Sequence, residues 1–465
     1  LIQYAVFFGS VQIFKYLYKN DVNLEPDLWI YAIHGNTPEI IHILEENQIK
    51  PTDHTFKECF YESKKCHHFD ISNYIESNLL IVDEPSFVDK KFDACGLYEL
   101  KFYNYSYINV GYEDYFLLLY ACKYNNYKMV EILLKTFNMQ DIDKYKSNFK
   151  YTPYLAAADK DYQEIIKLLL VNDNKIRENC FHNSNLTKLE IPLSITRIEA
   201  SAFKSCYYLS SVTLPSSLIS IGDASFLLTS LSTIKIPSSV TSIGKSSFEA
   251  CEISSIDFEL PSSLSLIPKE AFRKTLLKEI KIPNSVKSIG SDAFSSCKLL
   301  EKVEIPLSVV SIGSFVFFDC KSLIEITIPS SLTDIGHSTF SCCTSLEKIN
   351  ICSPLTSIEK SMFEGCSNLK KFKIPSSVKT IGKYSFTNCY CLTDIELPSS
   401  LTLIESHAFK NCSKLKQILI PSSVNKIYGN AFEECTEMEN IIFKNPSSLT
   451  SIEKNTFKYC ISLKE

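Results

Sequence analysis

The side chains best able to do chemistry in this sequence are its 18 cysteines and 8 histidines. Thiolates and imidazoles bind soft metal ions, and a thiol beside a base can act as a nucleophile. Spacing decides between these uses. Ten cysteines (Cys206, Cys251, Cys297, Cys320, Cys343, Cys366, Cys389, Cys412, Cys435 and Cys460) fall in one slot of a period that is mostly 23 residues long. Members of such a row stand ~4.8 Å apart with parallel side chains, whereas a disulfide needs Cβ atoms near ~3.8 Å on converging vectors. The row therefore reads as a buried ladder of compact thiols. Thr229 and Thr275, in two of its slots, agree with that reading, because threonine is of similar size and forms no bridge. Cys59, Cys66, His67 and His68 make the best metal candidate. Their C-x6-C-H-H spacing nevertheless matches no zinc pattern, whose ligand pairs stand two to four residues apart. Cys180 and His182 are a coincidence of two, and His337 and His407 occupy positions that vary between copies and read as surface. There is no phosphate loop, H-E-x-x-H, G-x-S-x-G or kinase signature. No catalytic residue, metal, cofactor or small-molecule substrate is expected.

The elements around these residues follow from the period. Aligned on Phe203, Phe226, Phe248, Phe272, Phe294, Phe317, Phe340, Phe363, Phe386, Phe409, Phe432 and Phe457, the chain shows twelve copies at spacings of 22 to 25 residues. In one copy, Leu323, Ile326 and Ile328 mark a short strand with inward and outward residues alternating. Pro329, Ser330 and Ser331 end it, since proline cannot donate to a ladder and serine bonds its own backbone at turns. Leu332 and Ile335 form a second inward pair. Gly336 is expected to permit a tight or left-handed turn. Phe340 then fills the interior with Cys343 behind it. One copy buries too little to fold alone, so stability must come from stacking.

The resulting pattern, L-x-x-I-x-I-P-S-S-[LV]-x-x-I-G-x-x-x-F-x-x-C, resembles the BspA-type leucine-rich repeats, a family of surface-antigen-like proteins in bacteria and protists. The resemblance covers about 280 residues and implies a β-rich solenoid over 185–465, of about twelve coils. Departures are local. Cys352 takes the proline slot with Pro354 displaced by two, extra residues precede Pro261 and Pro446, and Glu199, Pro268, Glu359, Glu405, Tyr428 and Glu453 replace the glycine.

Residues 1–172 carry paired helices instead. Thr152-Pro153-Tyr154-Leu155-Ala156-Ala157-Ala158, followed by Glu164 to Leu170, resembles an ankyrin repeat, with proline where a helix can start without its N–H. Ile165, Leu168 and Leu169 share one face of the second helix. Ala121 with Met129–Leu134, Ala32 with Ile40–Leu44, and Ala5 with Ile13–Leu17 repeat the outline, giving four ankyrin-like units. Residues 82–112, rich in aromatics, read as an irregular insertion or degenerate repeat. Residues 173–184 read as a junction where one stack caps the next.

Bulk properties narrow the partners. A net charge of −5, from 48 basic and 53 acidic residues, gives no basic footprint for nucleic acid. No apolar run is long enough to span a bilayer. The first residue is not methionine, and Leu463-Lys464-Glu465 opens another copy, so the sequence reads as a segment of a longer chain. The partners expected are therefore other proteins. The candidate binding surface is the outward strand row Thr213, Lys235, Lys281, Glu304, Thr327, Asn350, Lys373 and Glu396, continued by Leu419. Two functions fit: a surface-displayed adhesion or recognition protein, which the leucine-rich-repeat resemblance implies, and an intracellular scaffold, which ankyrin repeats and unpaired thiols suit. The compartment is open between these. Sequons at Asn104, Asn185 and Asn411 would accept glycans only on an exported chain.

Overall fold

A computed structural model describes residues 1–66, 68–80, 114–136 and 152–464. The aromatic stretch read as an insertion lies outside these residues, as do His67 and Asn104. Two compact units are present, Leu1–Ala156 and Ala157–Glu465.

Helix pairs build the first unit: Ile2–Phe7 with Val11–Lys19, Leu28–His34 with Pro38–Glu46, Lys57–Lys65 with Phe69–Asn78, and Asp114–Lys123 with Tyr127–Thr136. The turns inside two pairs use Asn36 (φ 49°) and Asn125 (φ 57°), residues that tolerate the left-handed region a helix exit needs. Buried alanine lets paired helices approach, as at Ala5, Ala32 and Ala121. Within the pair formed by residues 57–78, Cys59, Ser63 and Ser72 are the small buried residues, so no alanine announces that pair in the sequence. Trp29 sits fully buried among these helices and donates Nε1–H to the Ile49 carbonyl at 2.7 Å.

The second unit is the solenoid, preceded by the helix Gln163–Val171. All its strand pairs are parallel and in register from coil to coil. One row of strands carries the outward candidate face. A second row, the two-residue strands that include Ser311–Ile312 and Asp334–Ile335, runs behind the Pro-Ser-Ser turn. That turn has an inter-coil function: Ser331 donates Oγ–H to Val309 O at 2.8 Å, and Ser239, Ser377, Ser400 and Ser423 do the same one coil apart. Recurrence of the second serine thus follows from satisfying a carbonyl that the strand ladder leaves over.

The return segment holds the core. The twelve aligned phenylalanines stack, with neighbouring ring centroids 5.0 to 5.8 Å apart. Phe181 adds a thirteenth ring, 5.1 Å from Phe203. The residues read as a junction, 173–184, therefore carry coil structure: Lys175–Ile176 pairs with Arg197–Ile198, and Ser184 occupies the thiol slot, 3.5 Å from Cys206 Sγ.

Backbone conformation corrects the reading of Gly336. Its φ is not in the left-handed region; the left-handed residues are those two before and two after each phenylalanine, such as Ser338 (φ 57°) and Cys342 (φ 61°). Glycine is used here for close approach, since a Cβ on Gly336 would lie 2.3 Å from the Ser314 nitrogen of the preceding coil. The alternating conformation aims every second peptide along the solenoid. Ser225 O accepts from Phe203 N at 2.7 Å while Phe226 N, in the same peptide unit, donates to Ser247 O at 2.8 Å. The peptides two residues to either side do likewise, those after the phenylalanine as far as Glu434–Lys458 and those before it as far as Tyr384–Ser406, so three amide columns form, their N–H groups pointing toward the higher-numbered neighbour.

Nine of the ten slot cysteines are buried, and all ten are free of disulfides. Each thiol donates to the phenylalanine carbonyl of the preceding coil, as Cys343 Sγ does to Phe317 O at 3.1 Å. Thr229 Oγ1 turns instead to its own coil, donating to Phe226 O at 3.0 Å. Thr229→Cys is expected to change stability by less than about 1 kcal/mol, because it conserves volume and its thiol can reach Phe203 O. Thermal melting checks this, and a larger loss would mean the slot does not accept a continuous ladder.

Candidate partner-binding face

A strand's side chains alternate, so the residues flanking each inward Ile or Val must face outward. Thr213, Lys235, Lys281, Glu304, Thr327, Asn350, Lys373 and Glu396 are all exposed on strands of this row, and so is Leu419. Register brings them together in neighbours: Lys281 opposite Glu304, Thr327 opposite Asn350, and Lys373 opposite Glu396. Thr213 stands opposite Glu190, and Lys235 opposite Asp257, partners that no slot reading of single residues pairs.

Charge on this face is largely matched. Glu304 takes both Lys302 at 3.0 Å and Lys281 at 3.8 Å, and those two ammonium groups hold its carboxyl below its ordinary range. Lys371 meets Asp394 at 3.6 Å, and Lys235 meets Glu259 at 3.3 Å. Exposed pairs of this kind contribute little to stability, so their effect is to set a sign pattern along the face. Two features escape the sequence reading. Lys302, Lys371 and Asp394 belong to a second outward row two residues earlier in each strand. Near the last coils Leu419 and Ile442, 51 % and 50 % exposed, stand side by side and make the face apolar. At the opposite end a cleft of about 320 Å³ is lined by Gln163, Glu164 and Lys167 of the helix and by Lys188, Glu190 and Thr213 of the strands.

The remaining sequence candidates do not belong to this strand row. Cys59 is buried in the core of the first unit, and Cys180 is buried in the first coil. Cys66 lies 3.3 Å from His34 Nδ1, a neighbour 32 residues away that spacing could not suggest. His337 meets Phe315 edge-to-face at 4.8 Å, and His407 lies 4.9 Å from the Tyr384 ring. Among the described residues no helix is long and apolar enough to cross a membrane.

One ionised group on the return side gives the solenoid a pH dependence. Burial pushes the Glu433 carboxyl up, but Lys410 at 2.9 Å, together with Asn430 and Lys458, outweighs it and leaves it below its ordinary value of 4.5. A folded-state value below the unfolded one adds stability that is complete above the unfolded value and is lost as pH falls through the folded value. The melting temperature of the solenoid is expected to fall as pH drops below about 4.5, with Glu433→Gln flattening that slope.

Comparison with known proteins places this architecture. The model of the BspA type Leucine rich repeat region matches residues 174–299, 265–393 and 379–465, and the model of Ankyrin repeats matches 98–180. Both are families of protein-interaction repeats. No curated protein matches the chain. Among solved structures, a leucine-rich repeat protein from Bacteroides ovatus is 31% identical with a TM-score of 0.53, over 62% of this chain and 81% of that one. One from Eubacterium ventriosum is 26% identical with a TM-score of 0.42, over 60% and 81%. The pneumococcal vaccine antigen PcpA is 21% identical with a TM-score of 0.39, over 60% and 78%. With its model matched from residue 174 to residue 465, the chain belongs to the BspA-type leucine-rich repeat family.

Proposed function

We propose that this chain is a non-catalytic recognition protein that binds another protein along the outward strand face, in a surface-antigen-like adhesive role. The observation that carries the reading is the register itself. Parallel strand pairs, from Lys188–Glu190 with Ser211–Thr213 to Gln417–Ile420 with Asn440–Phe443, hold their outward side chains beside one another. A face held by its own backbone binds without first ordering itself, which removes a main cost of association. Its alternating signs supply specificity and register rather than bulk attraction, and the Leu419–Ile442 pair offers an apolar anchor.

Two measurements test this. Protease shaving of intact source cells, followed by immunoblotting for the repeat region, should remove the band while a cytosolic marker survives. Beads coated with the chain should attach to immobilised host-matrix proteins. The triple variant Lys235→Glu, Lys281→Glu, Lys373→Glu should attach at least about tenfold less well, with an unchanged melting curve because exposed substitutions cost little. Attachment indifferent to all three reversals would remove this face from the function.

The second reading, an intracellular scaffold, is favoured by the nine buried free thiols of the ladder, which a reducing compartment suits. Protection of the band until the cells are lysed would select it.

A further inference from the structure

The helix Lys57–Lys65 places Glu62 one turn before Cys66, and both face His34, the last residue of the helix Leu28–His34. Cys66 Sγ lies 3.3 Å from His34 Nδ1, and Glu62 Oε1 lies 3.2 Å from His34 Nε2. The two contacts use opposite sides of one imidazole. In the neutral ring, since a carboxylate only accepts, Nε2 carries the hydrogen that points at Glu62, and Nδ1 is the acceptor facing the thiol. Nucleophile, base and a third group that orients the base stand in sequence, the arrangement that activates a cysteine. The three ligand atoms also lie within 4.8 Å of one another, but a shared metal ion would need both groups on one nitrogen rather than on opposite ones.

We propose that Cys66 is a reactive thiol that undergoes exchange with small disulfides, with His34 taking its proton and Glu62 acting as a positioning residue. The step balances. The Cys66 thiol proton passes to His34 Nδ1, the sulfur attacks one sulfur of the disulfide R–S–S–R, and its S–S bond breaks as the Cys66–S–S–R bond forms. The departing thiolate takes the proton back from the imidazolium and leaves as R–SH. Access supports the assignment: Cys66 is half-exposed, and the His34 and Glu62 side chains are 33 % and 18 % exposed. The ladder thiols differ on both counts. They are sealed by neighbouring coils, and burial pushes the Cys251 and Cys297 thiols up to about 11. The exposed Cys352, whose sulfur contacts an Asn350 amide at 3.4 Å, supplies an internal comparison without an imidazole.

The test is alkylation of the full chain by iodoacetamide at pH 6, followed peptide by peptide with mass spectrometry. Cys66 should react about tenfold faster than Cys352, since a thiol paired with a base keeps a thiolate population that an isolated thiol loses at that pH. His34→Ala should bring Cys66 down to the rate of Cys352, and added imidazole should restore it. A merely structural histidine would not give that rescue. Glu62→Gln should slow the reaction less. With an aromatic disulfide as probe, the wild type should form a mixed disulfide at Cys66 before any other described cysteine. Equal rates for Cys66 and Cys352, or a Cys66 rate untouched by His34→Ala, would overturn the proposal. If His34→Ala does not fold, the wild-type comparison and Glu62→Gln still decide it.

Discussion

Phe340→Ala should lower the stability of the solenoid by about 3–5 kcal/mol, the range for truncating a fully buried aromatic side chain. Phe340 has no exposed surface and is stacked between Phe317 at 5.7 Å and Phe363 at 5.8 Å, with ring planes 8° and 4° from parallel. The cavity would therefore open on two interfaces at once, and the return segments on either side are held in place by their inter-coil hydrogen bonds. In a linear array, stability is a sum of coil and nearest-neighbour terms, so weakening two adjacent terms in the middle should also divide the unfolding transition. Urea denaturation followed by circular dichroism reads both effects. Phe457→Ala is the control: Phe457 is only half-buried and stacks on Phe432, so its loss should be distinctly smaller. Equal effects at the two positions would mean that ring stacking is not what couples the coils.

Asp173→Ala should cost a similar amount, about 3–5 kcal/mol, by a different mechanism. Asp173 and Arg177 are buried, with side chains 6 % and 7 % exposed, and Arg177 Nε donates to Asp173 Oδ2 at 2.9 Å. Removing the carboxylate leaves a buried guanidinium without that counter-charge, which is far more damaging than removing an exposed pair. The loss should concentrate in the first coil, where Lys175–Ile176 pairs with Arg197–Ile198. Hydrogen exchange would report it as faster opening there than around Phe340. Replacing both residues by apolar ones of similar volume should recover much of the loss. A single variant with native melting behaviour would show that water or a rearranged partner compensates.

The sequence displayed what its period could carry. Phenylalanine and cysteine recur because each fills one interior position in every coil, and Pro-Ser-Ser recurs because it ends a strand and caps a neighbour's carbonyl. What it concealed has physical causes too. Left-handed residues two before and two after each phenylalanine are Ser, Ala, Asp, Tyr or His as readily as glycine, because the backbone bonds on both sides impose the conformation. Phe181 was hidden in a polar stretch whose thiol slot holds serine. The helix pair 57–78 lacks alanine and the Thr-Pro signature. The partners of the candidate face, such as Glu190 beside Thr213, depend on register between coils, and the proximity of Cys66 to His34 depends on helix packing. Neither is a property of spacing along the chain.

The three amide columns beside the phenylalanine stack have an electrical consequence. In a β-ladder the N–H groups point alternately to either neighbour, and their dipoles largely cancel. In these columns each peptide, worth about 3.5 D, has its carbonyl toward the lower-numbered coil and its N–H toward the higher one. Their moments add as they do in an α-helix, over successive coils, in three columns as far as Ser406 and in two columns beyond it. One edge of the solenoid is thus an axial dipole, positive toward Phe457 and negative toward Phe181, a separation of charge that the nearly balanced formal charges of the chain do not display.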